Sequence, residues 1–379
     1  MKLTVLDLFC GLGGLSLGFE MTGAFQVVGG IDNYEWAVRT FCQNHSIGSG
    51  LLSQTQDIST LSPQTVLDEL GAKPDVVVGG PPCQGFSHAG RRYESVKHDP
   101  RNEQVYNFFK FVKEIEPKVF LMENVSGMLS VGQKRKYELL NSLKQGYEEL
   151  GYEVSWQILN SADYRVPQQR KRLFLAGILE GEHALYFPEP VCTNNLDLFY
   201  QPEPFYTVED ALSDLPTPIE QEPQPYEGEA KKPLQKFLRN GSESIHNHSI
   251  TKHKEATIEK IKKQQVGTRL YPKWNHSWYR LDFSKPSPTV KENHRAPFVH
   301  FSENRVTSPR ECARLQTIPD KYVIAGTKTA QLTLIGNAVP PILSAHLATE
   351  IAEQGFHRAV PYEWKKEKSP LLAYRENTS

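Results

Sequence analysis

Leu3-Thr-Val-Leu-Asp-Leu-Phe-Cys-Gly-Leu-Gly-Gly14 is the stretch that decides the fold. The apolar run from Leu3 to Phe9 reads as a strand, the glycines as a tight turn, and Leu15–Thr22 as the helix that follows. Glycine lets a backbone turn sharply and approach a ligand, and the helix N-terminus then faces that ligand. One such turn is common among nucleotide-binding loops, so its surroundings must carry the reading. They alternate. Gln26–Ile31 is a second strand, and a helix is expected near Glu35–Asn44. Asp75–Val78 and Val119–Met122 are short buried-type strands, with helical spacing over Glu103–Ile115 between them. Lys136–Leu150 reads as a helix ended by Gly151, and Tyr152–Leu159 and Arg172–Ile178 as late strands. Strands alternating with helices predict a parallel α/β sheet.

Beyond this region the texture changes. Glu180 to Glu229 holds twelve acidic residues and no Lys or Arg. Pro202, Pro204, Pro216, Pro218, Pro223 and Pro225 mark a connector over 188–229, with one helical piece at Val208–Leu212. Lys231 to Arg295 then holds fifteen Lys and Arg against five Asp and Glu, together with Phe237, Tyr271, Trp274, Trp278, Tyr279 and Phe283. A net charge of −1 conceals this division. Positive charge clustered among aromatics suits contact with phosphates, although most charge runs are merely solvated faces. A helix is expected at Lys254–Gln264, another starts at Pro309–Leu315, and a terminal helix covers Pro341–Glu353. No helix precedes the first strand, so the terminal helix is expected to return and cover the sheet. The basic segment then becomes an insertion.

At 379 residues the chain has room for two domains. Its 23% charged and 39% hydrophobic content is that of an ordinary globular protein. No apolar run approaches the roughly 18 residues of a membrane span. The start runs straight into strand pattern without the features of a signal peptide, so a cytoplasmic protein is expected. Cys10, Cys42, Cys83, Cys192 and Cys312 are odd in number and widely spaced. That argues against a disulfide framework or a cysteine zinc site and leaves a catalytic thiol open. His246, His248 and His253 have no cysteine or close acid to complete a metal site, and no metal is expected.

Gly79-Gly-Pro-Pro-Cys-Gln-Gly-Phe-Ser87 places Cys83 at the C-terminal end of a strand, where ligands bind in parallel sheets. The prolines stiffen the approach to the thiol, while Gly85 and Gly90 permit movement. A buried packing cysteine is the ordinary alternative, and it fits this setting poorly. Glu123-Asn-Val125 puts a carboxylate on the same edge. A lone Glu there is usually a cap or an ion pair, but thiol and carboxylate together form a nucleophile and proton-handling pair. In Gln168-Gln-Arg-Lys-Arg-Leu-Phe174, Arg170 and Arg172 project to one side, because side chains alternate along a strand. They could grip a base carbonyl or a phosphate, or form a surface charge cluster. Asp32 ends the second strand, where an acid can hold ribose hydroxyls, and Asp57 could reach an adenine amine. Either acid could instead cap a helix.

The order FCGLGG, GGPPCQGFS, ENV, QQRKR, then RECARLQTIPD at 310–320 and GNAVPP at 336–341 resembles the cytosine-5 DNA methyltransferases of restriction–modification systems. The likeness spans residues 3–345, apart from one long gap. It implies a Rossmann-like S-adenosylmethionine-dependent sheet with a smaller DNA target-recognition domain. Residues 1–186 would be the catalytic domain, 187–305 the recognition region with its basic DNA-facing part at 230–300, 306–355 a return to the catalytic domain and 356–379 a tail. By resemblance Cys83 is the nucleophile that adds to cytosine C6. Glu123 holds the N3/N4 edge of the base, and Arg172 bonds its O2 with Arg170 in support. S-adenosylmethionine would lie on Phe9, Gly11, Gly13, Gly14, Asp32, Asp57, Ile58, Pro82 and Asn337. The base must be flipped out of the duplex. Ser87, Arg91, Arg92 and Lys97 would bind phosphates from the loop over 87–102.

In the gap, Arg269, Lys273, Trp274, His276, Arg280, Lys291, His294 and Arg295 are expected to face DNA. The likeness also implies a monomer acting on double-stranded DNA, with a cognate restriction endonuclease as a possible partner. Two other readings stay open: a cytosine-5 methyltransferase of transfer RNA, and a non-catalytic DNA-binding regulator.

Overall fold

The computed structural model describes residues 1–82, 103–130, 137–193, 203–272, 278–292 and 297–360. Its first part alternates as expected: β1 (Leu3–Leu8), α1 (Gly14–Met21), β2 (Phe25–Ile31), α2 (Glu35–Asn44), α3 (Pro63–Leu70), β3 (Val76–Gly79), α4 (Glu103–Ile115), β4 (Val119–Val125), α5 (Glu138–Glu149), β5 (Tyr152–Asn160) and β6 (Lys171–Leu179). The sheet order is β2-β1-β3-β4-β6-β5. Strands β1 to β4 are mutually parallel, but β6 runs antiparallel to both β4 and β5. The sheet is therefore mixed rather than parallel throughout. Reversal puts the start of β6 at the edge where β4 ends, with Arg172 opposite Val125.

Both faces of the sheet are covered, which is why its central strands read as continuous apolar runs. Val76, Val78, Val119 and Leu121 point into a core shared with Phe19 of α1 and with α11 (Pro341–Phe356). Val77, Phe120 and Met122 point the other way, toward Val66 of α3, Phe108 and Phe111 of α4 and Leu143 of α5. The terminal helix does return. It packs on α1 through Gly18, where an added Cβ would lie 2.6 Å from the Pro341 carbonyl oxygen, and Ser344 Oγ donates to the Leu15 carbonyl at 2.7 Å.

Between these parts run α6 (Val208–Leu212), α7 (Pro233–Arg239), α8 (Glu255–Lys262), β7 (Tyr279–Arg280), β8 (Phe298–Val299), α9 (Pro309–Leu315) and α10 (Lys328–Asn337). Regular structure is sparse here, and buried arginines take over much of the bonding. Arg314 meets Asp320 and Asp214, and Arg305 meets Glu311. Helices α3, α7 and α10 were not among the expected elements. The first has a proline start at Pro63 and a left-handed Gly71 cap, a signal present in the sequence. The last has no apolar stripe, because it is enclosed on several sides, with Ala330, Leu332, Leu334, Ile335 and Gly336 all buried.

Gly18→Ala is expected to destabilise the protein by about 1–3 kcal/mol, the usual cost of overpacking a close helix contact. The measurement is the urea midpoint. An unchanged midpoint would mean that α1 and α11 can part without cost.

Candidate active site

The parallel strands end on one edge, and the crevice opens where the order reverses between β1 and β3. A cavity of about 630 Å³ lies there. That volume suits a ligand of nucleoside size. Phe9, Gly11, Gly14, Asp32, Ile58, Pro82 and Asn337 line it, and so do Glu123, Arg170 and Arg172.

The loop after β1 is built on strained backbone. Phe9 stands at φ 60°, a left-handed conformation that costs a side chain about 1–2 kcal/mol, and Gly11 and Gly13 follow at 55° and 89°. An added Cβ at Gly11 would meet nothing within 4 Å. Asp32 ties this loop to β2: its Oδ2 accepts from the Gly11 N–H at 2.9 Å, and its Oδ1 from the Tyr34 N–H at 2.9 Å. Burial raises its pKa against the pull of those amides.

Asp7, also in the cavity wall, is only 1% exposed. Ser16 Oγ donates to its Oδ2 at 2.7 Å, while Oδ1 accepts nothing. Burial, with the Asp32 charge adding to it, pushes the carboxyl up to about 7 against the Ser16 hydrogen bond.

Glu123 sits near the end of β4, and Arg172 Nε lies 2.9 Å from its Oε1. That oxygen accepts no directed hydrogen bond, so the contact is a charge pair with a buried lone pair still open. Asn124 Nδ2 donates to the Pro81 carbonyl at 3.2 Å and fastens the Pro-Pro turn after β3 to β4. Arg170 is buried. Its Nη1 donates to the carbonyls of Val290 at 3.1 Å and Gly336 at 3.0 Å, tying β6 to the end of α10. Cys83, Ser87, Arg91, Arg92, Lys97, Lys273, Trp274, His276, His294 and Arg295 lie outside the described residues.

Three expectations need correcting. Gly13 does not line the cavity, because it faces His45 and Tyr322 instead. Asp57 is exposed and does not line the cavity; its Oδ1 accepts from the Ser59 N–H at 2.9 Å and hydroxyl at 2.7 Å, which closes a turn and caps no helix. Arg280 does not face outward. It is 6% exposed, and its guanidinium donates to the carbonyls of Ile261, Gln264, His300 and Glu303. Arg269 and Lys291 are exposed, as are Lys254, Lys260, Lys262 and Lys263 on and beside α8. The cavity also takes in Tyr34, Gln56, Gln104, Thr333 and Val339, none of which was singled out. Tyr34 and Gln56 stand two residues from Asp32 and from Ile58, so closeness to an expected ligand was the one available signal. Of the histidines, His248 is buried between Ser308 Oγ and the Pro216 carbonyl, 2.8 Å from each.

The sequence profile of C-5 cytosine-specific DNA methylases matches residues 3–353. The chain belongs to that family. It is thus a DNA cytosine-5 methyltransferase that uses S-adenosylmethionine as methyl donor. This methyltransferase is 33% identical over 385 residues to the type II methyltransferase M.DdeI of Desulfomicrobium norvegicum, covering 92% of this chain and 88% of the relative. It is 34% identical over 363 residues to M1.HphI of Haemophilus parahaemolyticus, covering 93% and 87%. A solved structure described as a prophage-encoded DNA modification methyltransferase from E. coli superposes with a TM-score of 0.73 at 26% identity, covering 93% of this chain and 99% of that one. No helix among the described residues is long and apolar enough to cross a membrane.

The Asp7 shift makes a stability prediction for the donor-free enzyme. A carboxyl raised from 3.8 to about 7 on folding binds more protons folded than unfolded between those values, so stability is lost as pH rises through that window. Asp7→Asn should remove the loss. Its stability relative to the parent, from urea unfolding, should rise between pH about 4 and about 7 and then level off. A difference that does not vary with pH would show that the buried carboxyl carries no such penalty.

Proposed function

We propose that the cavity is the S-adenosylmethionine site and that the cytosine enters beside Glu123 and Arg172. The observation that carries this is the meeting of those two side chains at 2.9 Å on the sheet edge that also walls the crevice. The wall suits the donor's chemistry. Phe9, Ile31, Ile58 and Pro82 offer apolar surface to an adenine, and Asp32 offers a carboxylate to ribose hydroxyls. The Asp32 carboxylate favours a ligand that carries positive charge. When bound, S-adenosylmethionine supplies an electrophilic methyl group on a sulfonium.

In this reading the chain's own groups act on the base. Cys83, next after Pro82, adds its thiolate to C6, a covalent step that makes C5 nucleophilic. Glu123 holds the N3/N4 edge and delivers a proton to N3 as charge builds there. Arg172 bonds O2, and Arg170 holds the strand start that carries it. Loss of the C5 proton then expels Cys83, and no metal takes part. Flipping the base costs a few kcal/mol of stacking, offset by contacts to the duplex. Arg269, Lys291 and the lysines of α8 are proposed among those contacts. The type II relatives favour a place in a restriction–modification system, acting on duplex DNA rather than transfer RNA.

Cys83→Ala should abolish methylation while leaving duplex binding intact, and a duplex with 5-fluorocytosine at the target should trap the parent protein covalently but not this variant. Retained turnover in the variant would remove the nucleophile assignment. Glu123→Gln should lower kcat by about 10²–10⁴. A smaller loss, with labelled methyl still entering duplex DNA, would leave proton transfer to another group.

A further inference from the structure

The glycine-rich loop is gripped from behind by side chains from three distant parts of the sequence. The Tyr322 hydroxyl donates to the Leu12 carbonyl. Its oxygen lies 3.1 Å from His45 Nε2, and His45 Nδ1 lies 2.8 Å from Glu20 Oε2. Glu20 belongs to α1, His45 follows α2, and Tyr322 follows α9. None of the three lines the cavity, whereas Leu12 does.

A carbonyl only accepts, so the tyrosine hydroxyl donates to Leu12, and the imidazole packs between that hydroxyl and the Glu20 carboxylate. The relay also fills the space beside Gly13. A Cβ there would lie 2.5 Å from His45 Nε2 and 2.7 Å from the tyrosine oxygen. The Leu12–Gly13 peptide is thereby fixed at both ends, its carbonyl by Tyr322 and its N–H by the Cys10 carbonyl at 2.8 Å.

Tyr322 is itself held. Arg310 Nη2 donates to its carbonyl at 2.7 Å, and Asn44 pairs with both backbone groups of Val323, at 2.8 and 3.0 Å.

We propose that Tyr322, backed by His45 and Glu20, is a positioning residue for the methyl donor: it fixes the Leu12–Gly13 peptide in the orientation the donor requires. The proposal rests on the cavity being the donor site. Tyr322→Phe keeps the ring and removes only the hydroxyl. It should raise the donor KM, and the calorimetric Kd for S-adenosylhomocysteine, about tenfold, the cost of one lost hydrogen bond. At saturating donor, kcat should stay within about twofold and duplex affinity should not change.

Glu20 is partly exposed, so its variants keep the test alive should Tyr322→Phe fold poorly. Glu20→Ala should weaken the donor, and Glu20→Gln, which keeps an acceptor for Nδ1–H, should recover part of the loss. Ile351→Val, a core change in α11, gives the comparison for plain destabilisation: a lower melting temperature with donor affinity intact. Asp32→Ala separates the two readings. If it weakens the donor while Tyr322→Phe and Glu20→Ala do not, the relay is structural and the proposal falls. If Asp32→Ala binds donor normally, the donor site lies elsewhere and both readings fall.

Discussion

One reversed strand lets a single sheet edge carry both signs of charge. In β1 to β4 the carboxyl ends gather acids and glycine turns at that edge, and nothing in their pattern supplies a cation. β6 runs the other way, so its first residues arrive where the others finish. Arg172 then faces Glu123 at 2.9 Å, and Arg170 beneath it reaches back to Val290 and Gly336. Were β6 parallel, both arginines would lie at the far end of the sheet, and Glu123 would stand at this edge without a cation. The Glu123–Arg172 pair is only half bonded. Its two charges are close, yet Oε1 keeps an open lone pair. A fully bonded pair would leave no acceptor open, and breaking it would strand buried charge.

The crevice beside that pair depends on close helix contact. Gly14 and Gly18 let α1 approach Val339 and Ser344 without side chains between them. That approach brings the end of α10, with Asn337, to the wall of the cavity. The two ends of the chain thus make one site, and the long segment between them leaves and re-enters the same body. Phe9 pays for the turn at its mouth with left-handed backbone, and the Asp32–Gly11 hydrogen bond holds the turn in place.

Much of this was legible in the sequence, and for a physical reason. Strands covered on both faces are apolar throughout, and the residues at their ends stand out against them, so the strand-end positions of Asp32, Glu123 and Arg172 are readable from residue type and spacing. Asp57 and Gln56 show where such reading stops. They are adjacent, and which side chain enters the cavity is decided by the Asp57–Ser59 hydrogen bonds rather than by residue type. The direction of β6 was also hidden, because strand pattern gives burial but not polarity. Helix α10 was missed because enclosure on several sides erases the periodicity that marks a helix.

Arg280 was misread for a deeper reason, which also explains how the central segment folds. A guanidinium offers five N–H donors in a planar fork, and that fork serves a phosphate or a cluster of carbonyls equally well. The segment after β6 has few strands or long helices, so many of its buried carbonyls lack a ladder partner, and such groups must be bonded. Arginines supply the bonds. Arg280 takes carbonyls of Ile261, Gln264, His300 and Glu303; Arg310 takes those of His246, Pro319 and Tyr322; Arg314 takes that of Ala211 while pairing with Asp320 and Asp214. Part of the positive charge that suggests nucleic acid therefore lies inside the protein as scaffold. Because Arg310 holds both His246 in that segment and Tyr322 behind the glycine loop, the same scaffold joins the basic segment mechanically to the crevice.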